Sequence, residues 1–189
     1  MIFKQFKLSA LQNNSFVFGD ENTNEVAIVD APRGSEEMVE FIKNKDYTVK
    51  YIFLTHTHFD HIDGIPTLRT AFPNAEFIRH KDELDVADCT EINGDESLKI
   101  GDITAQTIFT PGHTYGGICL YIEDKLLSGD TLFYEEVGRA DLVGGNLEQL
   151  ISGIREKLFV LPDDTRVYPG HGWETTIGHE KAHNPYCSI

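Results

Sequence analysis

Three histidines and one aspartate occupy six consecutive positions in the segment His56-Thr57-His58-Phe59-Asp60-His61. Imidazole nitrogens and carboxylate oxygens are donors that suit Zn²⁺, Fe²⁺ or Mn²⁺. Side chains two apart on extended backbone point the same way, so His56 and His58 are placed to grip one ion. Asp60 and His61 are then within reach of a second. A solvated polar loop is the plain alternative. Against it, the cluster follows directly on Val49–Leu54, whose Val, Tyr, Ile, Phe and Leu content reads as a buried strand.

Three later places have the same form. Gly112-His113 follows a strand ending at Phe109, Gly129-Asp130 follows one ending at Leu127, and Gly170-His171 follows one beginning at Arg166. Each sets one ligand-type residue behind a glycine, where the backbone turns tightly without a Cβ in the way. A lone His after a Gly is usually structural, so each signal is weak by itself. With the first cluster they supply seven ligand candidates: His56, His58, Asp60, His61, His113, Asp130 and His171. That number suits two metal ions with an open solvent position. The spacing assigns no ligand to an individual ion.

The elements that must position these residues follow from periodicity. Strands are expected at Ile2–Leu8, Ser15–Phe18, Val26–Val29, Glu76–Ile78, Ile103–Phe109, Ile118–Ile122, Lys125–Ser128 and Arg166–Tyr168. Ser35, followed by Glu36, Glu37 and the apolar Met38, Val39, Phe41 and Ile42, reads as an N-capped helix. Further helices are expected at Thr67–Phe72, Lys81–Ala87, Leu147–Leu158 and Thr175–His183. Strands mixed with helices in both halves indicate an α/β protein with two sheets. No Pro/Ser-rich linker divides the 189 residues, which are expected to form a single domain.

The charge balance narrows the partners. Sixteen Lys and Arg stand against 31 Asp and Glu, for a net charge of −15. Nucleic acid and anionic membrane both select for basic clusters, so neither is the expected partner and a small molecule is. Cys89, Cys119 and Cys187 are odd in number and form no CxxC pair. Together with the absence of an apolar leader in MIFKQFKLSALQNNSF, this gives a cytoplasmic expectation. Composition says nothing of oligomeric state.

In their order along the chain, HxHxDH (His56–His61), TPGHT (Thr110–Thr114), SGDTLF (Ser128–Phe133) and YPGHG (Tyr168–Gly172) resemble the metallo-β-lactamase superfamily. The resemblance spans nearly the whole chain. It implies a four-layer αβ/βα sandwich with metals at one edge. It also implies roles: His56, His58 and His113 on one ion, Asp60, His61 and His171 on another, and Asp130 bridging them.

Within the superfamily, Asp130 points away from secreted antibiotic-destroying members, and His58 from flavodiiron-type oxygen reductases. The acidity points away from tRNA-processing nucleases. Gly138-Arg139-Ala140-Asp141 and the C-terminal stretch from Thr175 to Pro185 resemble the glyoxalase II-like group, the hydroxyacylglutathione hydrolases. That resemblance implies a zinc-dependent thioester hydrolase, with iron or manganese as other candidate metals. A hydroxide between two ions would attack an S-acylglutathione, Asp130 would hold the ions together and Asp60 would orient the hydroxide. Arg139 is a candidate clamp for a substrate carboxylate, or an ion-pair partner of Asp141. Tyr134 and Tyr115 are candidates for the pocket wall. The rival expectation is a persulfide dioxygenase on the same scaffold, which would use one iron at His56, His113 and Asp130.

Overall fold

The computed structural model describes residues 1–189. Six strands form the first sheet in chain order: β1 (Ile2–Leu8), β2 (Asn13–Gly19), β3 (Glu25–Val29), β4 (Thr48–Phe53), β5 (Glu76–His80) and β6 (Thr90–Ile92). Strand β2 runs antiparallel to both β1 and β3, and β3 to β6 run parallel. Parallel neighbours need crossovers. Helix α1 (Glu36–Asn44) carries the chain from β3 to β4; α2 (Phe59–Ile62) and α3 (Ile65–Ala71) carry it from β4 to β5.

The second sheet contains β7 (Ser97–Ile100), β8 (Ile103–Phe109), β9 (Ile118–Ile122), β10 (Lys125–Gly129), β13 (Arg166–Pro169) and β14 (Thr175–Thr176). Its order is β14-β13-β10-β9-β8-β7. Between β10 and β13 lie a short ribbon, β11 (Leu132–Phe133) with β12 (Glu136–Val137), helix α4 (Leu147–Gly153) and one π-helical turn, Ile154–Leu158. Helix α5 (Ile177–His183) closes the chain.

Alternation along the strands builds the layers. Val17, Ile28 and Ile52 face outward and pack with Met38 and Ile42 of α1 and Leu68 of α3. Their neighbours Phe16, Phe18, Val29 and Phe53 face inward and meet Ala105, Ile118, Leu120 and Leu127 of the second sheet. On that sheet's far side Cys119, Leu126 and Val167 pack with Leu150 of α4 and with Ile154 and Leu158. Helix, sheet, sheet, helix is the four-layer arrangement the sequence implied. Each fully buried Leu, Ile or Phe here contributes about 1.5–3 kcal/mol. No helix is long and apolar enough to cross a membrane.

Several local expectations are corrected. Lys81–Ala87 is not a helix. The Arg79 guanidinium donates to the carbonyls of His80 and Glu83, taking acceptors that a helix would use, and the Glu83 side chain turns inward. Ser35 does not cap α1: its hydroxyl donates instead to the Pro32 carbonyl at 2.6 Å. The helix expected over Leu147–Leu158 changes pitch after Gly153, and Phe159 N–H reaches back five residues to Ile154 O at 2.9 Å. The last helix starts at Ile177 rather than Thr175, because Thr175 and Thr176 pair with β13. Thr176 Oγ1 caps it by accepting from His179 N–H. The helix expected from Thr67 begins two residues earlier, at Ile65.

Candidate metal centre

Strand direction explains why distant ligand candidates meet. In the second sheet β9 is antiparallel to both β8 and β10, and β10 is parallel to β13. Strands β8, β10 and β13 therefore all run one way, and the residues that follow them, His113, Asp130 and His171, emerge at one edge. The backbone joins this edge to the first sheet's loops: Ile118 N–H donates to Thr55 O at 2.9 Å, and Asn14 N–H to Gly170 O at 2.7 Å. The cluster after β4 is thus brought against the other three sites.

Two of the glycines are required by this approach. Gly129 has φ +49°, and a Cβ there would meet the Thr55 side chain at 2.7 Å. A Cβ on Gly170 would lie 2.4 Å from Asp130 Oδ1 and 2.8 Å from the His61 ring. Larger residues at either place would push the two loops apart.

The donor atoms gather into three compact groups: His56, His58 and His113; His56, His61 and Asp130; and Asp60, His61 and His171. Within each, one donor atom per residue lies within 4.8 Å of the others. Hydrogen bonding on the outer ring nitrogens sets which atoms face inward. His61 Nδ1 donates to Asp30 Oδ2 at 2.8 Å, His113 Nδ1 to Arg139 O at 2.7 Å, and His171 Nδ1 to Leu11 O at 3.2 Å. Thr55 Oγ1 donates to Asp30, so it accepts from His56 Nδ1 at 3.1 Å. In its neutral form each of these four rings has an Nε2 lone pair aimed into the site.

Those lone pairs test whether the residues fit a metal. His56 Nε2 and Asp130 Oδ1 are buried without a hydrogen-bond partner. His61 Nε2 and His171 Nε2 face each other at 3.3 Å, and His58 Nδ1 lies 2.9 Å from His113 Nε2. Buried acceptors without donors, as at His56 Nε2 and Asp130 Oδ1, are costly unless a cation satisfies them. Divalent ions fit this donor set.

The charge environment differs across the site. Burial, helped by neighbouring imidazoles, holds His56 and His58 below the usual histidine range. Burial disfavours charge on His61 too, but Asp130, Asp30 and Asp60 outweigh it and lift its pKa to about 9. The hydrogen bond to Asp60 raises His171. Desolvation of Asp60 is overcome by His171, His61 and Asn13, which keep its carboxyl well below the usual carboxylate range.

Of the substrate-side candidates, Arg139 walls a cavity of about 620 Å³ together with His113, Asp130, Glu136, Leu147 and Tyr186. Its guanidinium makes a two-pronged bond to Asp141, at 2.7 and 2.8 Å. Tyr134 lies elsewhere: its ring stacks on His179 at 5.1 Å and meets the edge of Trp173. Tyr115 lines a smaller cavity beside His58. His80, at the end of β5, is buried and stacked on Phe109 at 4.1 Å, which gives it a packing role.

Three residues that the motifs did not single out hold the ligand candidates in place. Asp30, in the left-handed region at φ +62°, accepts from Thr55 N–H and Oγ1 and from His61. Asn13 donates to Asp60 Oδ2 at 2.8 Å. Buried Glu83 accepts from Thr57 and Thr114. Asp30 alone left a trace in the sequence, an acid directly behind the apolar strand Val26–Val29, as His56 stands behind Val49–Leu54.

The chain belongs to the metallo-beta-lactamase superfamily, whose family profile matches residues 8–171. It is 33% identical to the probable metallo-hydrolase YqgX of Bacillus subtilis, an alignment covering 100% of this chain and 98% of that protein. Among solved structures, ETHE1 from Myxococcus xanthus superposes with a TM-score of 0.92 at 31% identity, covering 100% of this chain and 85% of that one. The BLEG-1 B3 metallo-beta-lactamase superposes at 0.90 with 33% identity and 100% coverage of both chains.

Proposed function

We propose that this protein is a metal-dependent hydrolase of thioesters, acting on an S-acyl derivative of glutathione or another small thiol. The observation that carries the metal dependence is the pair of inward, donorless atoms, His56 Nε2 and Asp130 Oδ1. His56, His58 and His113 would hold one divalent ion and Asp60, His61 and His171 a second, with Asp130 shared between them. Zinc is the first candidate, and iron and manganese suit the same donors. When bound, such ions supply a Lewis acid and lower the pKa of a coordinated water toward neutrality.

The chain's own residues do the rest. Asp60, held ionised by its neighbours, would orient the attacking water or hydroxide by accepting a hydrogen bond from it. The cavity beside His113 and Asp130, at about 620 Å³, has the size of a small-molecule site. Arg139 on its wall offers a guanidinium to a substrate carboxylate, with Asp141 fixing its plane. No Ser or Cys nucleophile is required. Burial pushes the Cys119 thiol up to about 11 and the Cys187 thiol up to about 12, so neither supplies a thiolate at neutral pH.

Turnover of S-lactoylglutathione by the metal-loaded protein tests this reading, within a panel that includes other thioesters, lactones, phosphodiesters and a β-lactam. A β-lactam belongs there because one full-length structural relative is named a B3 metallo-beta-lactamase. No thioester turnover would sink the proposal. The rival, a persulfide dioxygenase with one iron, has in its favour the structural likeness to ETHE1 from Myxococcus xanthus. One iron per chain with oxygen consumption on glutathione persulfide would establish it, and two zinc ions would exclude it.

A further inference from the structure

Glu83 is a buried carboxylate in the loop between β5 and β6, and no Lys, Arg or His is among its side-chain partners. Four donors converge on it. Oε2 accepts from Thr57 N–H at 3.0 Å and from Thr57 Oγ1 at 2.5 Å. Oε1 accepts from Gly116 N–H at 2.9 Å and from Thr114 Oγ1. Thr57 sits between His56 and His58, and Thr114 directly follows His113. The two loops belong to different sheets, one following β4 and the other β8. One carboxylate therefore ties together the chain segments that carry all three imidazoles of one ligand group.

The packing around it is equally tight. A Cβ on Gly116 would lie 2.8 Å from Glu83 Cγ and from Glu83 N, so the glycine is what lets the carboxylate enter. The other ligand group is braced without Glu83, through Asp30 on His61 and Asn13 on Asp60. A charge buried among neutral donors is retained only where those donors are fixed against it.

We propose that Glu83 is a positioning residue that sets the geometry of the His56/His58/His113 group across the two sheets, and so the affinity of one of the two ions. The inference rests on the metal-centre reading above. In Glu83→Gln the amide nitrogen must face one pair of donors. A hydroxyl can rotate to accept from it, but the backbone N–H of Thr57 or Gly116 cannot.

The test is Co²⁺ titration of the full-length protein, followed by competition with a chelator and by visible absorption. His58→Ala and His171→Ala mark which binding step belongs to which group. Glu83→Gln is expected to weaken the His58-dependent step by about tenfold or more and to alter its absorption bands, leaving the His171-dependent step unchanged. Equal binding of both ions in wild type and variant overturns the proposal. So does an equal loss at both steps that follows a lowered Tm in EDTA, which marks a purely structural role.

Should Glu83→Gln fail to fold, Thr114→Val removes one donor and leaves the other three. A smaller loss confined to the same step is expected, and no loss, or an equal loss at both steps, overturns the role. Wild-type protein that takes up no ion overturns the metal centre itself, a result distinct from any of these.

Discussion

The two ligand groups use different means to hold their donors. His56, His58 and His113 are three imidazoles, and no carboxylate hydrogen-bonds any of their rings: Thr55 Oγ1 and the Arg139 carbonyl hold His56 and His113, and Glu83 clamps the loops. Asp60, His61 and His171 are gripped more directly. Asp30 bonds the His61 ring, Asn13 bonds Asp60, and Asp60 itself lies 3.2 Å from His171 Nε2. Burial therefore dominates at His56 and His58 and favours their neutral rings. The second sits among three carboxylates, Asp130, Asp30 and Asp60, which favour a proton on His61. Rigid placement serves the first group, and charge serves the second at the cost of proton competition.

Asp130 is where the two meet. Its oxygens lie 3.4 Å from His61 Nε2, 3.6 Å from His113 Nε2 and 3.8 Å from His171 Nε2. Asp130→Ala should therefore erase the distinction, weakening both ions and lowering kcat/KM by about a thousandfold. The circular dichroism spectrum should stay that of a folded protein, because Asp130 takes no part in the three hydrophobic clusters. A variant that loses only one ion, or that unfolds, breaks this account of a shared ligand.

The next effect concerns protons. With the His61 pKa raised to about 9, the ring carries a proton at neutral pH that an ion must displace. The affinity of the second ion should rise by at least about tenfold per pH unit from 7 toward 9, with the raised His171 adding to the displaced His61 proton, and level off above that. His56 and His58 have lowered values, so their rings are already neutral and add no pH dependence to the first ion. Chelator competition at several pH values checks this. Equal slopes for the two ions would remove the contrast.

Much of this was legible in the chain, and the reason is local. His56, His58, Asp60 and His61 are contiguous, and His113, Asp130 and His171 each stand behind a strand and a glycine. A ligand at a strand end is written in neighbouring residues. The braces are not: Asn13 meets Asp60 across 47 residues, Asp30 meets His61 across 31 and Glu83 meets Thr114 across 31. Nothing beside Glu83 separates it from a surface acid on a helix, which is how Lys81–Ala87 reads. Tyr134 misleads for a related reason. The two-residue strands β11 and β12 have no periodicity to show which way the turn between them faces, and it faces α5.

Asp30→Asn sharpens the comparison at a single atom pair. The amide keeps one acceptor oxygen but loses the negative charge that supports the His61 ring. The affinity of the second ion should drop by about tenfold, with little change at the first. Its pH dependence should shift toward lower pH, because one of the carboxylates that raise the His61 pKa is gone. Parallel losses at both ions would show that Asp30 acts through Thr55 and the loop rather than through His61.

The smallest effect belongs to Arg139, outside both groups. Its side chain is 61% exposed and its partner Asp141 is 68% exposed, so the pair adds little to stability. Arg139→Ala should leave the Tm and both metal affinities unchanged. If the guanidinium meets a substrate carboxylate, KM for an S-acylglutathione rises several-fold, while an uncharged thioester such as an S-acyl-N-acetylcysteamine is unaffected. Its neighbour gives a second test. Asp141→Asn removes the two-pronged bond that fixes the guanidinium plane, and KM for the anionic thioester should rise. Indifference of both variants to substrate charge would assign Arg139 to the cavity wall as packing alone, and move carboxylate recognition elsewhere.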